Sequence, residues 1–256
     1  MLYGLYLSAQ GAQAQATRLD VLSNNLANAG TAGFKRDLAI FQSHRPYDVE
    51  NGSSPTTPGN QSALTGGISP AKIVTDYSNG PVVHTGGALD AALTGPGFFQ
   101  VGDGNQQFLT RKGQFALSAN GDLILQNSNL RVLSNAGNAI NIPAESARVE
   151  IGSDGGVASV SADGTRTQVA KLALVRPASD GQLEKVGSSL FRANGLVSQA
   201  GNDLRLEQGF VEQSGVTPVS EMVDMVQASR MVEANVNMIK FQDDALDHLL
   251  QSAAPH

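Results

Sequence analysis

The chain has 256 residues, 28 of them glycine, a formal net charge of −6, and neither cysteine nor tryptophan. That length buries a real core and holds one or two domains, while the acidic balance offers no basic field to nucleic acid or an anionic membrane. Disulfides, thiolate-bound zinc and thiol catalysis are excluded together, and no stretch approaches the ~20 apolar residues of a membrane-spanning helix.

Residues 2 to about 29 read as one helix ended by Gly30. Leu2, Ala9, Ala16 and Ser23 share one heptad position, and Leu5, Ala12, Leu19 and Leu26 the other. Such a stripe needs a partner. Before Phe34 the only charges are Arg18 and Asp20, and the off-seam face is built from Gln and Asn. Uncharged polar side chains are buried against polypeptide at lower cost than ions. Asn24 and Asn28, four apart, share one face just before the loop that exits at Gly33-Phe34. The first ten residues lack a basic region and turn polar too early for a secretory signal peptide, which reads as cytoplasmic or as export without a cleaved signal.

Residues 46–67, rich in Gly, Ser, Pro, Asn and Thr, read as an extended arm or linker. From 68 to 210 the period changes to two, with short apolar runs divided by Gly, Asn and Asp. Asn120-Gly121 predicts a type I′ hairpin, which needs positive φ at both central residues. Asp154-Gly155-Gly156 and Asp163-Gly164 predict two more turns, and Val169–Val175 a buried strand. The fold class is therefore α+β, mainly β. N- and C-terminal helices (1–45 with its signature turn, and 211–256) pair as a coiled-coil-like module around a Gly-rich all-β domain at 68–210.

The last helix is expected from Pro218 to Gln251, capped by Thr217, with Pro218 in its first turn and Glu221 and Asp224 at the positive end of its dipole. Its expected seam joins Met222, Ser229, Val236, Asp243 and Leu250 with Met225, Val232, Ile239 and Leu246. Together with Leu5, Leu19 and Leu26 these form the intrachain contact. Met231, Met238 and Phe241 make a second apolar stripe that a two-helix hairpin leaves uncovered, and a neighbouring subunit is its expected cover.

Catalysis finds no support. His44, His84, His248 and His256 form no metal pair at useful spacing, and there is no nucleophile elbow, Walker loop or dinucleotide fingerprint. Gly95-Pro96-Gly97 leads into a strand, where no helix terminus awaits a phosphate. Asp243-Asp244 reads as a solvated helix face and Asp154-Gly155-Gly156 as a turn without calcium-loop spacing. No cofactor, metal or catalytic residue is expected.

The segment from Leu22 through Asn24-Asn25-Leu26-Ala27-Asn28 to Thr31, Gly33, Phe34 and Lys35 resembles the N-terminal signature of bacterial flagellar rod and hook proteins. Leu89–Val101, Leu109–Phe115 and Gln208–Val216 with the following Glu221-Met222-Val223 are similar to the family's later motifs. Gly215 replaces the family's usual Asn, and Val232 a common aromatic. Hook members are longer, which favours the rod, and the region 135–177 leans toward the proximal-rod type over the distal. The resemblance implies a structural subunit of the periplasmic rod. It would be exported by the flagellar type III apparatus and polymerise through its terminal helices with itself and other rod or hook subunits into a torque-transmitting tube. Asn24, Asn25, Leu26, Asn28, Thr31, Gly33, Phe34 and Lys35 would serve assembly. The rival readings are a β-rich adhesion module on a coiled-coil stalk and a carbohydrate-active enzyme, for which no facing carboxylates are nominated.

Overall fold

The computed structural model describes residues 2–43, 68–187, 189–201 and 203–253, so the arm expected at 46–67 lies outside the described residues. The chain divides into two compact units, one drawn from Met1–Ala27, Asp37–Asp76 and Thr217–His256, the other from Asn28–Arg36 and Tyr77–Val216.

The first unit is helical. Helix α1 (Leu2–Ala27) packs against helix α2 (Pro218–Ala253), beside an antiparallel ribbon of β1 (Asp37–Ser43) and β2 (Ile68–Thr75) whose register shifts after Ile40. Pro218 opens α2, and the Thr217 carbonyl accepts the first helical bond from the Glu221 amide at 3.1 Å. The two helices run antiparallel. A Cβ on Gly4 would lie 3.1 Å from Gln242 Nε2 and one on Gly11 3.0 Å from Asn235 Oδ1, while Ser23 donates to Met225 Sδ at the other end.

The packed faces differ from the expected seam. On α2, Met225, Val232, Ile239 and Leu246 are half-buried, but their companions are Glu221, Ala228, Asn235 and Gln242. Met222, Val236 and Leu250 are 45%, 39% and 69% exposed. On α1, Ala14, Val21, Leu22 and Asn25 are buried, Leu5, Leu19 and Leu26 are half-buried, and Ala9, Ala16 and Ser23 are exposed. Stepping three or four residues from Met225 gives two equally helical seams. Apolarity alone selects Met222 and Val236. The glycines of α1 select the other, because a side chain reduced to hydrogen leaves room for the long amides of Asn235 and Gln242.

The second unit is β, and every strand pair in it is antiparallel. A nine-stranded sheet has Phe98–Gly102 and Gln107–Thr110 at its centre, and a three-stranded meander is formed by Ser146–Ile151, Gly156–Ser161 and Arg166–Lys171. Leu93, Phe99, Val101, Leu123, Val132, Ile140, Val157 and Leu172 form the dry core, each at most 1% exposed. Beyond Asn28–Arg36, the β unit runs from Tyr77 to Val216, while β2 pairs with β1 in the helical unit. The strand expected at Val169–Val175 is split. Its first part ends the meander and its last part starts Leu174–Pro177 in the larger sheet, with Leu172 and Ala173 buried between them.

Four turns share one geometry. The amides of Gly121, Gly137, Gly155 and Gly164 each donate to the carbonyl three residues back, at Ser118, Ser134, Gly152 and Ser161, and only the glycine has positive φ (80°, 80°, 84° and 83°). The Asn120-Gly121 hairpin therefore forms, pairing Phe115 with Leu125, but by a type I turn closed by a glycine bulge and not by a type I′ turn. Gln208 closes a free edge. Its Nε2 donates to the Val149 carbonyl at 2.9 Å and to the Ala88 carbonyl at 2.6 Å, while its Oε1 accepts from the Ile151 amide at 3.0 Å.

Candidate functional site

Short segments from distant parts of the chain meet inside the β unit around three buried charges. Lys35, Arg111 and Glu212 have side chains 1%, 3% and 1% exposed. Lys35 Nζ donates to Glu212 Oε1 at 2.6 Å and to the Ser78 carbonyl at 2.7 Å. Arg111 donates to Glu212 Oε2 at 3.3 Å and to the carbonyls of Leu93 and Gly95 at 3.3 and 2.6 Å. The Gly80 amide gives Glu212 a further bond at 2.9 Å. Buried charges are tolerable only when so surrounded. Burial lowers the Arg111 pKa and the Glu212 carboxylate opposes that shift; a guanidinium stays charged at neutral pH regardless.

Backbone conformation makes this meeting possible. Gly33 sits at φ +67°, and a Cβ there would lie 2.5 Å from the Arg111 carbonyl carbon and the Lys112 nitrogen. Its amide donates to the Glu212 carbonyl at 2.8 Å, and the Gly215 amide donates to the Phe34 carbonyl at 3.0 Å. Phe34 is 1% exposed, with the Lys185 ammonium 3.9 Å from its ring centroid. Gly33, Phe34 and Lys35 are thus interior to the β unit, where they bind its chain segments to one another.

Asn25 is also interior, in the helical unit. It is fully buried, its Nδ2 donates to the Asp37 carbonyl and its Oδ1 accepts the Asp37 amide, both at 2.9 Å. The same Nδ2 lies 3.4 Å from Glu221 Oε2. One amide thereby fastens the end of α1 to the starts of β1 and α2. Leu26 is half-buried, Asn24 is exposed, and the half-buried Asn28 accepts a bond from the Thr31 hydroxyl at 3.3 Å. The stripe of Met231, Met238 and Phe241 is 55%, 50% and 71% exposed.

Arg111 and Glu212 lie within the motifs Leu109–Phe115 and Gln208–Val216, but nothing in their spacing points to a role. The available signal is a charge directly after apolar strand residues, in Leu109-Thr110-Arg111 and Phe210-Val211-Glu212, where a solvated charge has little reason to sit.

A cluster of this kind holds chain segments together, and its three charges each lie in a separate segment that matches a known family. Residues 5–35 match the model of the flagella basal body rod protein, residues 92–159 that of the flagellar hook protein FlgE/F/G D1 domain, and residues 207–252 that of the flagellar basal body rod FlgEFG protein C-terminal region. Lys35, Arg111 and Glu212 fall one in each. The chain is 33% identical to the flagellar basal-body rod protein FlgG of Bacillus subtilis, over 98% of both chains. It is 35% identical to the FlgG of Buchnera aphidicola subsp. Schizaphis graminum over 98% of this chain and 100% of the relative. The flagellar basal-body rod protein FlgF of Caulobacter vibrioides is 30% identical over 92% and 91%. The chain belongs to the flagellar basal-body rod protein family. It is a structural subunit of the rod in the flagellar basal body, assembling with other rod and hook subunits, and is not an enzyme.

Proposed function

We propose that the chain polymerises through the outer faces of α1 and α2 into the axial tube that carries torque to the hook. In this reading Met231, Met238 and Phe241 contact a neighbouring subunit, and Asn24 and Asn28 contribute on the side of α1. The observation that carries it is the exposure of that stripe on a helix already packed on another face, since apolar surface of this kind marks an interaction site. Met238→Lys or Phe241→Lys forces a cation to be desolvated at every repeat of the contact. The expected outcome is a soluble chain with unchanged melting that forms no rod and restores no motility. Normal rods from either variant would remove the stripe from the interface. Asn24→Asp and Asn28→Asp are expected to lower motility with little change in melting.

Export by the flagellar type III apparatus, without a cleaved signal and into the periplasm, belongs to the same proposal, supported by family membership. Position along the rod is the finer question. The region 135–177 leans to the proximal rod, whereas the FlgG-named relatives, covered almost end to end, favour the distal rod. Complementation separates them. Rescue of a strain lacking its FlgG-named protein, with none in a strain lacking its FlgF-named protein, selects the distal position, and the reverse selects the proximal.

A further inference from the structure

We infer that the buried charge cluster is a mechanical clamp, holding together every chain segment that enters or leaves the β unit. The unit is built from 28–36 and 77–216, so its chain crossings lie at 28, 36, 77 and 216. All three stretches next to these crossings are stitched to one another. Gly33 bonds Glu212, Phe34 bonds Gly215, Lys35 bonds Ser78 and Glu212, Gly80 bonds Glu212, and the Gln213 amide donates to the Pro81 carbonyl at 2.9 Å. A Cβ on Gly80 would lie 2.3 Å from the Gln213 carbonyl oxygen, so backbones there are in direct contact. The Ser189 hydroxyl adds a bond to the Ala32 carbonyl at 3.1 Å and Lys185 one to the Lys35 carbonyl at 2.9 Å.

The direction of these segments determines how they resist force. Gly33 meets Glu212 and Phe34 meets Gly215, so both partners advance together along the chain. Pulling residue 28 against residue 216 therefore drags the two segments past each other and loads both backbone bonds at once, with the buried charges loaded in the same motion. Segments running in opposite directions would instead be peeled apart one bond at a time from the pulled end. A force arriving through α1 and α2 meets this shear contact before it reaches the sheets. Glu212 is the centre of the device, because its two oxygens accept from Lys35, Gly80 and Arg111. Its usefulness in carrying torque rests on the rod assignment; its existence does not.

The test pulls single full-length chains by their two ends at constant force. Rupture of the β unit is expected as one event after the helices separate, freeing the chain between 35 and 212, about 600 Å when extended. Glu212→Gln is expected to raise the rupture rate about 100-fold, in line with the ~3 kcal/mol that breaking a buried charge pair costs. Ser189→Ala, which removes one neutral bond, is expected to raise it by a smaller factor and keeps the test decisive if Glu212→Gln does not fold. Arg166→Gln, in an exposed pair with Glu150 at the meander, is expected to leave it unchanged. A rupture rate that Ser189→Ala does not move, or that Arg166→Gln moves as much as the cluster variants, overturns the clamp. The rod assignment is unaffected by either result, since the assay needs no assembly, and it fails separately if a chain with an intact clamp restores no motility in any rod-deficient strain.

Discussion

The two units of this protein use polar groups in opposite ways. In the β unit the buried charges are gathered at one place and bonded to one another and to backbone carbonyls, with the Arg111 Nε left without a partner among the described residues, and most of the core around them is hydrocarbon. In the helical unit polar side chains run the length of the seam, from Gln242 beside Gly4 to Glu221 beside Asn25. Three of its amide oxygens, on Gln10, Gln15 and Gln242, are buried with no partner among the described residues. Each unmade bond costs about 1–3 kcal/mol. A helix pair with small, polar contacts gains little from burial, and long helices draw most of their stability from packing. The lesson is that the β unit is complete as a single chain, while the helical unit is built to gain further surface.

The comparison breaks first at the β core. Phe99→Ala, at a fully buried ring stacked edge-on against Phe115 at 5.1 Å, is expected to cost about 3–5 kcal/mol. Denaturant melts should show the loss in the β transition and leave the helical signal near its original midpoint. A common shift of both would deny the units their separate cooperativity. Gly33→Ala is expected to cost more than the ~1–3 kcal/mol of backbone strain, because its Cβ would also meet the Arg111–Lys112 backbone at 2.5 Å, and the loss should appear as faster hydrogen exchange at Gly80 and Gly215. The isolated 68–210 fragment, which omits Lys35 and Glu212, is expected to melt at lower denaturant than a chain extended to include both.

In the helical unit, Asn25→Ala strands the Asp37 amide and carbonyl and is expected to cost about 1–3 kcal/mol, read as lost exchange protection over 218–228. Met222→Ala tests the displaced seam and is expected to change stability by about 0.5 kcal/mol or less, against a clear loss for Val232→Ala. The smallest effect is acid-dependent. The amides of Gln106 and then Asn105 hold the Asp103 carboxyl below its ordinary range. A depressed pKa contributes stability that is present above the unfolded value, about 3.9, and is lost as pH falls through the folded value. Asp103→Asn should flatten that acid-side slope by removing the contribution at neutral pH, and leave stability below the folded value nearly unchanged.

Much of this architecture was legible in the residues. The change of period at the two ends separated helix from strand, and Gly after Asn or Asp marked the hairpins at 121, 155 and 164. What escaped was anything decided by a partner. The hairpin at Asn120-Gly121 took a different turn type because five residues, Ser118 to Asp122, close it, and a dipeptide does not reveal its loop length. The α2 seam moved by one residue because Gly4 and Gly11 lie opposite it, a fact carried by the other end of the chain. The roles of Gly33, Phe34 and Lys35 depend on Arg111 and Glu212, and residues so far apart share no periodicity.

The Gln208 amide has a consequence for life in a crowded assembly. A strand edge with free amides and carbonyls is a template on which any extended chain can add itself, and copies of this subunit meet at very high local density. By bonding Val149 and Ile151 from the side, one side chain occupies the template with the protein's own atoms. Gln208→Ala would uncover it, and its phenotype would be clumping during purification, sensitive to concentration, in a molecule that keeps its fold but loses about 1–3 kcal/mol for the bonds removed.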